Sequence, residues 1–120
     1  MRLFFIILIF TSITYANAQP INTDVLIIGG GTAGVAAGIQ CARQKVKTIL
    51  VEPTTWLGGM LTAAGVSATD GNHNLPSGLW EEFRQALYKH YNTKNLATGW
   101  VSNTLFEPHV GDSIFKAFCK

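Results

Sequence analysis

Residues 24–34 read Asp-Val-Leu-Ile-Ile-Gly-Gly-Gly-Thr-Ala-Gly, and the fold class can be predicted from these eleven residues. Its first part, Asp24–Ile28, is a run of β-forming residues without polar alternation, which predicts a parallel strand buried on both faces. The second part has the spacing G-x-G-x-x-G. In this pattern Gly29 permits a tight turn, Gly31 lets the backbone approach a pyrophosphate, and Gly34 brings the next helix close to the strand. A helix that begins at such a turn directs its free N–H groups and its positive dipole end at the phosphates.

A helix and a second strand are expected after the turn. Val35 to about Gln44 is rich in alanine and free of proline, which predicts a helix. Small residues should form its close-packing face, namely Gly34, Ala37, Gly38 and Cys41. Val46–Glu52 has the composition of a second parallel strand. The sequence therefore predicts an α/β fold that opens with a β-α-β unit and continues with helices and loops.

Glu52 stands where the second strand is expected to end, about 20 residues after Gly31. A carboxylate at this place can accept hydrogen bonds from the adenosine ribose hydroxyls and repels a 2′-phosphate, which favours FAD or NAD over NADP. A solvated strand end is the structural alternative. The strand, the turn, the helix and the acid all agree, and together they favour a dinucleotide-binding site over a merely structural turn.

Two features favour flavin over nicotinamide. The β-α-β unit starts only a few residues after Gln19, where the mature chain is expected to begin once a signal peptide, described below, has been removed. In addition, Trp56–Thr62 reads W-L-G-G-M-L-T, and its Gly58-Gly59 pair would let the backbone pass close to a flat ligand where side chains would collide.

These segments resemble the N-terminal FAD-binding part of FAD-dependent oxidoreductases of the two-dinucleotide-binding-domain flavoprotein type, in particular an exported bacterial branch. The resemblance runs from about Thr23 to the end and rests on DVLIIGGGTAGVAAGIQCAR, on ILVEPTTWLGGMLTAAGVSATDG and, less widely shared, on LPSGLWEEFRQALYKHY. It implies a Rossmann-like FAD-binding domain. In such a domain the glycine turn holds the pyrophosphate, the acid holds the ribose, and the L-G-G segment lies along the cofactor toward the flavin.

The resemblance assigns cofactor-binding positions in this chain to Gly29, Gly31, Thr32, Ala33, Gly34, Glu52, Gly58 and Gly59. One departure is Lys45 in the connection from the helix to the second strand, where glycine often stands. We therefore expect that turn to close differently.

The first 18 residues have the three-part pattern of a secretory signal peptide. Met1-Arg2 carries a positive charge, Leu3–Ile13 is an apolar run too short to span a bilayer, and Ala16-Asn17-Ala18 offers a cleavage site after Ala18. An uncleaved N-terminal anchor is the alternative. We expect residues 19–120 to be exported to the periplasm or the extracellular space without a stable membrane span.

Composition limits the remaining classes. Nine Lys and Arg against seven Asp and Glu give a net charge of +2, which argues against a nucleic-acid-binding tail. A chain of 120 residues allows one small domain. We therefore expect residues 19–120 to be the N-terminal portion of a longer FAD- or NAD(P)-binding protein, inactive alone. Nothing in the sequence indicates its oligomeric state.

The second half predicts a loop over Ala63–Ser77, a helix capped by Ser77 that runs to about Tyr91, and a last helix capped by Asp112-Ser113. Core packing is the favoured role of the helix aromatics Trp80, Tyr88 and Tyr91 over a binding platform. A free Cys41 that packs as a small hydrophobe is favoured over a bridge between Cys41 and Cys119.

No catalytic residue can be assigned from the sequence. Asp70 and His73 lie in a glycine-rich loop and could act as acid, base or flavin attachment point, but a solvated turn is the favoured interpretation. The histidines lack metal-site spacing. Any chemistry is therefore expected to come from the cofactor.

Three functions remain open. The first is an FAD-dependent oxidoreductase whose flavin accepts a hydride from a small organic substrate, with a carbohydrate-related compound as one candidate. The others are an NAD-linked dehydrogenase and a non-catalytic protein that binds an adenine dinucleotide.

Overall fold

A computed structural model describes residues 19–99 and 101–120. The elements follow in the order β1 (Val25–Ile28), α1 (Thr32–Arg43), β2 (Thr48–Val51), a 3₁₀ turn (Gly59–Leu61), α2 (Gly78–Tyr91) and α3 (Pro108–Phe118). The predicted signal peptide lies outside the described residues.

The β-α-β unit is present as predicted. β1 pairs with β2 in parallel, with Val25 opposite Thr48 and Ile28 opposite Val51, and α1 forms the crossover between them. This arrangement confirms the α/β, Rossmann-like fold class. α1 begins at Thr32, three residues earlier than expected. Gly31 has the extended backbone of an N-cap residue, so the helix starts at the next residue.

α1 packs closely on one face of the strand pair. A Cβ added at Gly38 would lie 3.6 Å from the Ile27 Cδ1 atom and 3.7 Å from the Leu50 Cδ1 atom. At Gly34 the approach is closer still, since an added Cβ would overlap with the carbonyl oxygen of Gly29. The prediction of a close-packing face of small residues is confirmed at Gly34 and Gly38 but is wrong at Ala37, which is exposed. Cys41 is half-buried, and Cys41 and Cys119 are both free thiols.

The opposite face of the sheet does not match the prediction of strands buried on both faces. Leu26 is 57% exposed, Ile28 75% and Val51 48%. The physical reason is that a single crossover helix covers only one face of a strand pair, so the other face requires another layer. The apolar run correctly indicated a parallel strand but not which of its faces is covered.

The turn after α1 closes through Lys45 itself, which corrects the expectation that it closes differently. Lys45 has φ 61°, in the left-handed region that favours glycine. Its N–H donates to the Ala42 carbonyl at 2.9 Å, and the Val46 N–H donates to the Cys41 carbonyl at 3.0 Å. These two bonds form a Schellman motif, in which Lys45 takes the position that glycine usually has.

We expect Lys45→Gly to raise the free energy of unfolding by about 0.5–1 kcal/mol, because glycine removes the left-handed penalty of a residue that bears a Cβ. Chemical denaturation of the natural full-length protein measures this change. Lys47→Gly is the control, because residue 47 lies in the same connection but has no positive φ and should lose stability. Equal effects of the two substitutions would contradict the assignment.

α2 and α3 form the main apolar core. The Phe83 ring stacks on Phe115 with centroids 4.7 Å apart and meets Phe106 edge-on at 5.3 Å. Trp80, Tyr88 and Tyr91 pack, partly buried, against this cluster, as predicted. The α2 helix confirms the sequence prediction, although Ser77 precedes it without a side-chain capping bond.

The start of α3 corrects a second expectation. The helix begins at Pro108, which suits the first helical turn because proline lacks an N–H that would be unpaired there anyway. Asp112 is therefore not a cap but a buried residue inside the helix. Its carboxylate accepts a hydrogen bond from the Leu57 N–H at 2.8 Å.

Within residues 19–99 and 101–120, none of the helices has the length and apolar character needed to cross a bilayer.

Candidate functional site

The predicted site residues gather at the carboxyl ends of the two strands. The glycine turn follows β1, and Glu52 follows β2 directly. Ligands of open parallel sheets bind at this edge. The fold therefore brings together the two segments that the sequence had assigned to the pyrophosphate and the ribose.

Gly29 and Gly34 serve the close approach of helix and strand. Gly29 has φ 101°, and its N–H donates to the Val51 carbonyl at 2.8 Å, which extends the pairing of the strands by one residue. Its own carbonyl oxygen occupies the place where a Gly34 side chain would be. Both glycines are thus required by the protein itself.

Gly31 has open space beside its Cα atom, unlike Gly30 and Gly34, and it lacks the positive φ of Gly29. An added Cβ would meet no atom within 4 Å, and the backbone has an ordinary φ of −63°. Gly31 is also the N-cap residue of α1, and no side chain caps this helix start within the described residues. The N–H groups of Thr32, Ala33 and Gly34, in the first turn, are therefore available to an anion that binds next to Gly31.

The Glu52 carboxylate is held by three hydrogen bonds. Its Oε2 atom accepts from the Gly30 N–H at 2.7 Å, and its Oε1 atom accepts from the Thr54 N–H at 3.0 Å and the Thr54 hydroxyl at 2.8 Å. The Gly30 bond, followed by the two Thr54 bonds, lowers the pKa of Glu52 below its usual 4.5. The acid thus stays ionised at neutral pH in a fixed orientation.

Sequence reasoning missed Gly30 and Thr54. Gly30 occupies a variable position of the glycine pattern, yet an added Cβ there would lie 2.8 Å from the Leu57 Cδ2 atom and 3.0 Å from the Glu52 Cβ atom. Thr54 follows Glu52 by two residues, a spacing at which a hydroxyl and an N–H can reach the same carboxylate. That spacing was the one available indication.

The second glycine segment lies directly on the first. The Gly58 N–H donates to the Gly30 carbonyl at 2.7 Å, and the Thr32 hydroxyl donates to the Gly58 carbonyl at 2.9 Å. An added Cβ at Gly59 would lie 3.0 Å from the Gly31 Cα atom. The two segments, distant in sequence, thus form one backbone surface around Gly31.

The structure gives a further reason for glycine at position 58. Gly58 has φ 109°, and an added Cβ would lie 2.6 Å from the Phe115 ring and 2.8 Å from the Thr62 methyl group. The close approach that requires glycine here is therefore one between protein atoms. Its neighbour Gly59 also has a positive φ, 55°.

Comparison with known proteins gives the family. The family model described as FAD dependent oxidoreductase matches residues 24–120. The chain belongs to this family. Mitochondrial dihydrolipoyl dehydrogenase from Bos taurus is 44% identical to it over 52 residues, which are 43% of this chain and 10% of that protein. The Homo sapiens protein of the same name is 42% identical over the same length and coverage.

The chain spans about a tenth of the length of the curated relatives it matches. No solved structure matches it significantly.

The site fits the FAD of this family of oxidoreductases. The open space at Gly31 leaves room for a pyrophosphate at the uncapped start of α1. Glu52 has its carboxylate fixed beside the turn, with further lone pairs that can accept ribose hydroxyls. Nothing in the geometry of these residues opposes FAD.

We expect Glu52→Gln to weaken FAD binding by roughly tenfold without abolishing it, because the amide keeps one acceptor oxygen and loses the charge that strengthens the hydrogen bonds. FAD titration of the full-length protein, followed by fluorescence, measures this change. Glu82→Gln is the matched control, since Glu82 lies on the exposed side of α2 and pairs with Arg43.

Glu52 also predicts a pH dependence of stability. Its pKa is lowered in the folded state, so its contribution is present above the unfolded value of about 4.5 and is lost as the pH falls through the lower folded value. Acid unfolding of the wild type should show this loss, and Glu52→Gln should remove that part of the curve. An unchanged curve would contradict the hydrogen-bonded carboxylate.

Asp70 and His73 are not joined into an acid–base pair by any hydrogen bond that the structure describes. Asp70 is exposed, and the His73 ring lies 3.4 Å from the Asn103 side-chain amide. In the described part of the chain, His, Cys, Asp and Glu side chains form no group of three that could hold a metal ion. The largest cavity described, about 520 Å³ and lined by Tyr91, Leu96 and Phe106 among others, includes no glycine-motif residue.

Proposed function

We propose that this chain is the FAD-binding portion of an exported bacterial oxidoreductase that removes a hydride from a small organic substrate. The open approach to Gly31, at the uncapped N-terminus of α1 and beside Glu52, carries the proposal. Membership in the FAD-dependent oxidoreductase family supports it. A sugar or related alcohol is the substrate class we put forward, because hydride transfer from such carbon centres is chemistry that flavins support.

In this proposal each segment of the site has one task. The N–H groups of the first turn of α1, at Thr32, Ala33 and Gly34, bind the pyrophosphate, and the helix dipole stabilises its charge. Glu52 accepts the ribose hydroxyls and fixes the adenosine end. Bound FAD supplies the two-electron chemistry.

Gly29 and Gly59 contribute backbone without side chains to the surface on which we place the cofactor. Gly58, whose Cβ side faces Phe115 and Thr62, holds the second glycine segment against the turn. Gly58 and Gly59 lie directly against the turn, so a cofactor held at Gly31 runs beside them. The lack of side chains at Gly29 and Gly59 lets a flat ring system approach the backbone.

Export is proposed on the strength of the first 18 residues, whose charge, apolar run and Ala-Asn-Ala site have the pattern of a cleaved signal peptide. N-terminal sequencing of the protein isolated from its natural source tests it. We expect the mature chain to begin at Gln19. A protein that begins at Met1 in the cytosol would contradict export.

The visible absorption spectrum of the native full-length protein tests the cofactor and the redox function. Flavin bands that bleach under anaerobic conditions on addition of a sugar or related alcohol are the expected result. Flavin bands that bleach with dithionite but with no such alcohol would reject the substrate class and keep the oxidoreductase. A colourless protein that does not take up added FAD would reject the proposal in favour of NAD-linked or non-catalytic dinucleotide binding.

A further inference from the structure

Asp112 is a buried charged residue that the glycine motifs do not explain. It lies within α3, only 8% exposed, although aspartate is a weak helix former. Its Oδ1 atom accepts from the Leu57 N–H at 2.8 Å, and its Oδ2 atom accepts from the Lys116 ammonium at 2.6 Å. Both carboxylate oxygens therefore have a defined partner, and one of them is the backbone of another segment.

That backbone leads directly into the second glycine segment. The Leu57 carbonyl accepts from the buried Thr62 hydroxyl at 2.7 Å, and the next residue, Gly58, hydrogen bonds to Gly30 and Thr32. The segment is thus tied to the glycine turn, to its own loop and to α3. Asp112 supplies the hydrogen bond from α3.

The packing around Asp112 leaves little freedom between α3 and the segment. Phe115, on the same helix, fills the space beside Gly58. An added Cβ at Gly111 would lie 2.7 Å from the Phe106 ring and 3.1 Å from the Thr62 methyl group. Apolar contact brings the helix close but does not fix the register of a backbone, whereas a hydrogen bond to one N–H does.

We infer that Asp112 is a positioning residue of the FAD site. It holds Leu57 so that Gly58 and Gly59 lie against Gly30 and Gly31, and Lys116 balances its charge. The inference rests on the proposed function, because it assigns Asp112 a role in placing a surface along which FAD runs. Asp112 itself is directed at Leu57, not at the cofactor.

Replacing Asp112 by a residue of similar size without an acceptor tests this role. In the full-length protein, Asp112→Leu should weaken FAD binding by roughly tenfold or more, because the half-buried Leu57 N–H loses its acceptor and the segment shifts. Asp112→Asn keeps an acceptor oxygen and should recover most of the affinity. Ser113→Leu also replaces a polar residue of α3 by leucine, but at an exposed position, and it should leave the affinity for FAD unchanged.

The spectrum of the bound flavin separates positioning from general destabilisation. At saturating FAD, a merely destabilised protein binds less flavin in an unchanged environment, whereas a displaced segment shifts the visible absorption maximum and the flavin fluorescence of Asp112→Leu. If Asp112→Leu does not fold, Asp112→Glu replaces it. Glutamate keeps the charge near Lys116 but moves the carboxylate away from Leu57, and we expect about fivefold weaker binding.

The outcomes distinguish the two proposals. Wild-type protein that binds FAD, with a folded Asp112 variant of unchanged affinity and spectrum, would overturn the positioning role alone. Wild-type protein that binds no FAD would overturn the proposed function and this inference with it.

Discussion

Gly34→Ala is expected to lower the free energy of unfolding by about 3 kcal/mol or more, which is a large part of the stability of an ordinary domain. The added methyl group would overlap with the carbonyl oxygen of Gly29. That oxygen belongs to backbone held in place by the Gly29 N–H bond to Val51, so it cannot move as a flexible side chain would. The helix would have to move away from β1, and the turn that carries Gly31 would move with it.

Gly38→Ala is the matched control for this prediction. It places the same methyl group on the same helix face, but at 3.6 and 3.7 Å from Ile27 and Leu50 side-chain atoms, which is ordinary contact. It should stabilise the protein by about 0.5–1 kcal/mol, because alanine is favoured over glycine inside a helix. Thermal and urea unfolding of both variants in the full-length protein measure the difference. Similar stabilities for the two would show that α1 does not approach β1 as closely as described.

Gly31→Val is expected to abolish FAD retention while leaving the fold intact. A Cβ at this position would meet no protein atom within 4 Å, and φ −63° is allowed for valine, so stability should change by about 1 kcal/mol or less. The same side chain would fill the space that the proposal gives to the pyrophosphate. We expect affinity to fall more than about a hundredfold, a loss of roughly 2.7 kcal/mol.

Flavin content of the purified protein, with circular dichroism as the check on folding, measures this result. Ala42→Val on the last turn of α1 is the control, because Ala42 is small and exposed and lies at the opposite end of the helix from Gly31. Normal flavin content in folded Gly31→Val would show that the pyrophosphate is bound elsewhere. Gly34→Ala and Gly31→Val thus separate the two reasons for glycine in one short turn.

The local pattern was enough to predict the β-α-β unit. The apolar run before Gly29, the glycine spacing and the alanine-rich stretch after it each indicate their element without help from distant residues. The prediction of Glu52 at the end of β2 succeeded for the same reason, since strand and acid are adjacent in sequence. Element ends were less certain, as the early start of α1 shows.

Distant contacts were the part that sequence could not give. Asp112 followed by Ser113 has the composition of a helix cap, and only the packing of α3 on residues 57–62 shows that its carboxylate meets Leu57. Pro108 was the local indication that α3 starts earlier. The covered face of the sheet is likewise decided by which layer packs on it, not by the letters Val-Leu-Ile-Ile.

Lys45 shows a different limit. Its identity argued against a left-handed turn, yet the Schellman hydrogen bonds of Lys45 and Val46 hold it there. The left-handed conformation costs a residue with a Cβ about 1–2 kcal/mol, and two backbone hydrogen bonds at a helix end can outweigh this cost.

The support of Glu52 by Gly30 and Thr54 has a consequence for any attempt to redesign cofactor preference. A single exchange of Glu52 for a basic residue would add a cation for a 2′-phosphate, but it would also leave the Gly30 N–H facing a positive charge. The same mutation would therefore strengthen binding of a 2′-phosphate and disturb the glycine turn. The effect of a mutation at position 52 therefore depends on Gly30 and Thr54. A redesign must first give the Gly30 N–H another acceptor before the charge at position 52 is reversed.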